Sequence, residues 1–248
     1  MRQIPPLSLL SLHVENLQIT AAAPSVKDLP MRLESATARI ALTLEVKRHI
    51  TGISKEAPPE LPRVLIASPR LNIHVGLDRV QITFPVDGPL ARNVLETFPY
   101  FAKKIGTPEI DAVFVAINEP VWMGAVLNIV KPVPDATTGA RAVEPIARQA
   151  ASIRPFGEEL ASFNLLCGFR AGGLFKNVTV QGYDSYTVDL VDGRADSPTK
   201  RESGVQYILD INTKPQQVRP YDRADLAQLL REMEQFFIDL PTIIPGAP

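Results

Sequence analysis

The sequence predicts an α+β protein: an antiparallel, sheet-rich fold with helices packed against it. Three observations carry that expectation. Apolar and polar residues alternate with period two over much of the 248-residue chain. Two of these runs are joined by a short glycine turn, the mark of an antiparallel hairpin. Segments with apolar residues three and four apart close the runs of strands instead of alternating with them one for one.

Taken in order, Leu12, Val14, Leu17 and Ile19 fit a first strand with one irregularity. From Ala38 to Val46 the apolar set Ala38, Ile40, Leu42, Leu44 and Val46 predicts a strand with one buried face. Leu71, Ile73 and Val75, then Val80, Ile82 and Phe84, flank Gly76-Leu77-Asp78 and predict a hairpin. A helix follows, with Pro89 at its first position and Leu90, Val94, Leu95, Phe98 and Phe101 on one side. Pro99 inside it is expected to end or kink it.

Ile110 to Ile117 and Gly124 to Val133 read as apolar strands separated by Asn118-Glu119-Pro120. Residues 131–158, punctuated by Pro132, Pro134, Gly139, Pro145, Pro155 and Gly157, read as a long, mobile connection with a short helix near Ala142 to Ala151. Strands resume over Leu160 to Phe169, Leu174 to Leu190 and Val205 to Ile211, with a polar loop over Asp192 to Ser203. The last helix is capped by Asp222, carries Asp225 in its first turn, buries Leu226, Leu229, Leu230, Met233, Phe236, Phe237 and Leu240, and stops at Pro241. The expected organisation is residues 1–105 and 106–248, each strands then a helix, either as separate units or as one continuous domain. The second is open to reading as a diverged copy of the first, although no residue-level repeat supports it.

With 26 Lys+Arg against 27 Asp+Glu, the net charge of −1 excludes a generally basic nucleic-acid binder and a disordered acidic chain. The single cysteine, Cys167, excludes an intramolecular disulfide framework and a cysteine-only metal cluster. The most apolar window, Ala112 to Val130, is broken by Asn118, Glu119, Pro120 and Asn128 and does not span a bilayer as one helix. Pro5-Pro6, His13, Glu15, Asn16 and Gln18 interrupt what would be the apolar core of a signal peptide, so a cytoplasmic location is expected. On that expectation the Asn177-Val178-Thr179 glycosylation triplet has no meaning.

Chemistry-bearing residues are sparse. His13, His49 and His74 have no metal-ligand spacing, and His13 and His74 are expected to face solvent, where they are able to meet. Cys167 sits among apolar residues, with no Lys or His beside it to activate the thiol. Gly168-Phe169-Arg170-Ala171-Gly172-Gly173-Leu174-Phe175-Lys176 lacks the ending of a phosphate loop and predicts a glycine hairpin, with Arg170 and Lys176 left to attract an anion. Asp184, Asp189, Asp192 and Asp196 predict a solvated loop, and Asp210-Ile211-Asn212 a strand-end cap. Trp122 is read as either a contact residue or a core position at the sheet edge.

Two stretches resemble known families. Asn72 through Asp78-Arg79-Val80, Ala116-Ile117-Asn118 and Leu209-Asp210-Ile211 resemble a sporadically distributed family of bacterial proteins without assigned function. The resemblance spans residues 70–240 on short apolar landmarks. It implies a bacterial α+β protein and transfers no site. Val14-Glu15-Asn16-Leu17 with Ala23-Pro24 resembles the first strand of SecB-type export chaperones over about a dozen residues.

The reading favoured by these features is a non-catalytic interaction or assembly protein, homo-oligomeric or protein-binding, that works through strand edges or the last helix and needs no cofactor or metal. A small-ligand or client-binding protein and an enzyme with a site assembled from His13, His74 and an Asp are the alternatives.

Overall fold

The computed structural model describes residues 9–23, 28–54, 56–117, 120–150, 160–188, 190–191, 194–195, 197–213 and 221–244. Its centre is a nine-stranded antiparallel sheet built from β1 (His13–Ala22), β2 (Arg48–Ile50), β3 (Val64–Ala67), β4 (Asn72–Val75), β5 (Arg79–Pro85), β6 (Trp122–Pro132), β7 (Asn164–Ala171), β8 (Leu174–Thr187) and β11 (Thr199–Thr213). The strand order is β2-β3-β4-β5-β1-β6-β11-β8-β7. Between β8 and β11, β9 (Leu190–Val191) and β10 (Arg194–Ala195) form a small separate ribbon. The α+β expectation holds.

Alternation decides which face is covered. Leu17, Ile19 and Ala21 of β1, Val80, Ile82 and Phe84 of β5, Ala125, Leu127 and Ile129 of β6, and Val205, Tyr207, Leu209 and Ile211 of β11 point to one side and are fully buried. They form one core with residues of α1 (Leu29–Arg32), α2 (Glu34–Thr43), α4 (Val94–Ile105), α5 (Pro108–Ile117), α6 (Gly139–Ala150), α7 (Arg223–Ile238) and α8 (Leu240–Ile243). The short α3 (Gly88–Arg92) leads into α4. The irregularity expected in β1 is real: its pairing with β6 shifts register between Val14 and Asn16. That extra residue keeps Val14 and Leu17, three apart, on the same buried face.

The hairpin over Leu71 to Phe84 is present as β4 and β5. So is the glycine hairpin, where Gly172 and Gly173 take positive φ between β7 and β8. The capping box at the last helix pairs Asp222 and Asp225 as expected. That helix ends at Ile238, two residues before α8, which contains Pro241 at its start.

Several expectations are revised. Ala38 to Val46 is not a strand but the end of α2 and its exit; its buried residues Leu33, Thr37, Ile40 and Ala41 follow helical spacing, and Leu42 is 80% exposed. Ile110 to Ile117 is helix α5, with Ile110, Val113 and Ile117 inward and Val115 outward. Pro99 does not end α4, which runs on to Ile105 and is held by Phe98 against Phe237 and by Phe101 against Phe84. Within 131–158, the short helix expected near Ala142 to Ala151 is present as α6, which starts earlier, at Gly139, and buries Ala142, Val143, Ile146 and Ala147 as an amphipathic stripe, while residues 131–132 are the end of β6 and not part of a connection. Residues 151–158 lie outside the described set. Thr199–Ser203, expected in a polar loop, belong to β11.

Candidate functional site

His13 and His74, which the sequence leaves able to meet, do not. His74 pairs with Gln81 and Gln81 with Thr20, so His74 is level with Thr20 on β1. His13 lies seven residues along the same strand, roughly 20 Å away at the rise of an extended chain. An enzyme site built from both is therefore corrected: the two histidines share a face and opposite ends of it. His49 is on the edge strand β2. Among the described residues, no group of three His, Cys, Asp or Glu is placed to hold a metal.

Other predicted groups are also dispersed. Arg170 and Lys176 do not form an anion site, because Lys176 pairs with Glu232 at 2.7 Å on the helix side while Arg170 lies over the Phe175 ring. Asp184 is tied by Lys200 at 2.7 Å, by the Ser203 hydroxyl at 2.7 Å and by the Gly139 amide at 3.0 Å. Those donors, Lys200 first, hold its carboxyl below the usual range. Asp189, Asp192 and Asp196 lie outside the described residues. Asp210 and Asn212 are not a cap: both sit within β11, paired with Asn177 and Phe175 of β8. Cys167 is half-buried on β7, and Trp122 begins the central strand β6, not an edge.

Three surfaces remain. The first is the sheet face opposite the helices. It carries rows of amides: Asn128 donates to Asn16 at 2.8 Å, Gln181 to Gln206 at 2.7 Å, and Asn177 to Asp210 at 3.1 Å. Glu15, the bulge residue, adjoins the same rows. The surrounding protein pushes its carboxyl up, a hydrogen bond with Gln206 opposes this, and nearby Glu202 adds to the rise. Burial and then Glu202, which accepts from its hydroxyl at 3.0 Å, likewise raise Tyr183. Sequence reading missed this face, although the amides at alternate positions of β1, β8 and β11 were the signal.

The second surface is the edge of β7, the last strand of the sheet among the described residues. The strand Asn164-Leu165-Leu166-Cys167-Gly168-Phe169-Arg170-Ala171 contains no Pro and no Lys, and it pairs with β8 without a bulge. Leu166 is 66% exposed. The opposite edge, β2, is three residues long. The third surface is a groove of about 310 Å³ between α4 and α7, lined by Phe98, Phe101, Ile105, Leu226 and Leu230 and rimmed by Arg231 and Glu234.

No helix of the described residues is long and apolar enough to cross a membrane. No family model, curated protein or solved structure matches the chain.

Proposed function

We propose that the chain is a non-catalytic assembly protein that joins a second copy of itself by strand pairing at β7. The observation that carries this reading is the edge itself: eight residues whose outer side pairs with no other strand among the described residues, without Pro, Lys or a bulge and with Arg170 as their one charged side chain. Two antiparallel registers centred on the middle of β7 keep the helix-side residues of both copies on one face. One is centred on Cys167 and sets Leu165 against Phe169; the other is centred on Gly168 and sets Cys167 against Phe169. Both match apolar with apolar on that face, next to Phe236, which already packs on Phe169 at 6.3 Å. In a cytoplasmic setting Cys167 stays reduced, so the pairing is non-covalent.

Light scattering behind a sizing column, across a concentration series, tests this. The expected result is a dimer that Leu166→Lys converts to monomer with its fold intact, and that mild oxidation traps through Cys167 if the first register is used. A strict monomer for the parent chain, or a dimer indifferent to Leu166→Lys, overturns the proposal.

A further inference from the structure

We infer that the sheet face opposite the described helices is a binding platform for a neutral, polyhydroxylated ligand, an oligosaccharide lying across β1, β6, β11 and β8 beside Trp122. This does not rest on strand pairing at β7. It rests on what the face offers. A side-chain amide carries donors and an acceptor together, which is also what a sugar hydroxyl presents. Asn16, Asn128, Asn177, Gln181, Gln206 and Asn212 place six such groups on four adjacent strands.

Charge selects among ligands. The described part of this patch carries the acids Asp210 and Glu15 among its amides. Of the arginines on this face, Arg79 is paired with Asp78 at 2.9 Å, and Arg170 lies over the Phe175 ring at the rim of the patch. Phosphates, sulfates and nucleic acids are disfavoured by that sign, whereas hydroxyls donate readily to carboxylates.

The platform is also held in place. The hydrogen bonds among Asn16, Asn128, Asn177, Asp210, Gln181 and Gln206 fix these side chains before any ligand arrives. Little rotamer freedom is left to lose on binding. From Gln206 to Asn212 the rows run about 20 Å along β11, the length of a short chain of sugar rings more than of one.

Trp122 supplies the apolar partner that the carbon–hydrogen face of a sugar ring requires. Its benzo edge lies over Gly124, where a Cβ would stand 2.9 Å from Cη2 and 3.3 Å from the Asn212 Cβ. Only a glycine leaves the indole that place, directly beside the amide rows.

The chain contains one tryptophan, so its fluorescence reports on this face alone. Cellohexaose, maltohexaose and chitohexaose are titrated against the full chain, with a heparin hexasaccharide as the anionic probe, while side-chain amide NMR signals are recorded. A saturable change in Trp122 emission or in the Asn and Gln amide signals with one neutral hexasaccharide is expected. Asn177→Ala combined with Asp210→Ala should weaken that binding about tenfold or more, with circular dichroism unchanged. If the pair does not fold, Asn16→Ala alone serves, with a smaller loss expected. The inference is overturned if none of the three neutral probes changes either signal at millimolar concentration, if folded variants bind as the parent does, or if the heparin probe binds more tightly than every neutral one.

Discussion

Gly139, the first residue of α6, and Gly182, in the middle of β8, meet backbone to backbone: a Cβ on Gly139 would stand 2.8 Å from the Gly182 carbonyl carbon and 2.5 Å from the Tyr183 amide nitrogen. A Cβ on Gly182 would collide with the Gly139 carbonyl. Neither neighbour is a flexible side-chain end, so relief requires moving the helix off the sheet. Gly139→Ala and Gly182→Ala should each cost about 1–3 kcal/mol in urea unfolding. Gly52→Ala, whose Cβ meets nothing, should leave stability unchanged or raise it by less than about 1 kcal/mol.

Asp184 closes the same junction from the strand side by accepting the Gly139 amide. Asp184→Ala should destabilise by about 1 kcal/mol, the usual cost of losing a helix cap. Its carboxyl and that of Glu144, held down by Arg148 and then Arg141, both titrate below their ordinary values in the folded chain. Their contribution is therefore present above the unfolded carboxylate range and disappears as pH falls through the lower folded values. Urea midpoints measured from pH 7 to pH 2 should show the Asp184→Asn, Glu144→Gln double variant losing less on acidification than the parent.

Tyr207 is fully buried on β11, and among the described residues its hydroxyl has no partner. Burial alone pushes its ionisation upward. Removing an unsatisfied hydroxyl without changing the ring removes a desolvation cost. Tyr207→Phe should match the parent or exceed it by up to about 1 kcal/mol in thermal unfolding, and a loss beyond 1 kcal/mol would show a hidden partner.

Arg63 is buried, with its guanidinium donating to the carbonyls of Ser54, Ala57, Pro58 and Leu61. A planar fork reaches four carbonyls at once, and an ammonium does not. Arg63→Lys should cost about 2 kcal/mol or more and speed proteolytic cleavage around residues 54–61, both read against the parent.

Much of the sheet was legible because strand alternation coincided with burial. Leu12, Val14, Leu17 and Ile19 even revealed the bulge through their uneven spacing. Ala38 to Val46 misled for a definite reason. Ile40 and Leu44 belong equally to a period-two set and to a helical set with Leu33, Thr37 and Ala41, and the helical set starts upstream of the window. Ala, Leu, Arg and Glu in that stretch favour the helix. The helix near Ala142 was legible, but Pro145 and the small residues hid its start at Gly139 and the apolar stripe that packs on β8 and β11. The amide face stayed unread because its members are scattered from Asn16 to Asn212 and become neighbours only through strand register.

The position of β1 sets an order of events during synthesis. Residues 13–22 leave the ribosome before either of their neighbours: β5 begins at residue 79 and β6 at residue 122. Until β5 has emerged, Val14, Leu17 and Ile19 have no sheet to join, until β6 has emerged one side of β1 stays unpaired, and closing those long intervals is slow. The nascent chain must therefore keep its most central segment waiting, exposed to capture by holdase chaperones, and nascent-chain crosslinking should find β1 released only after Pro132 has cleared the exit tunnel.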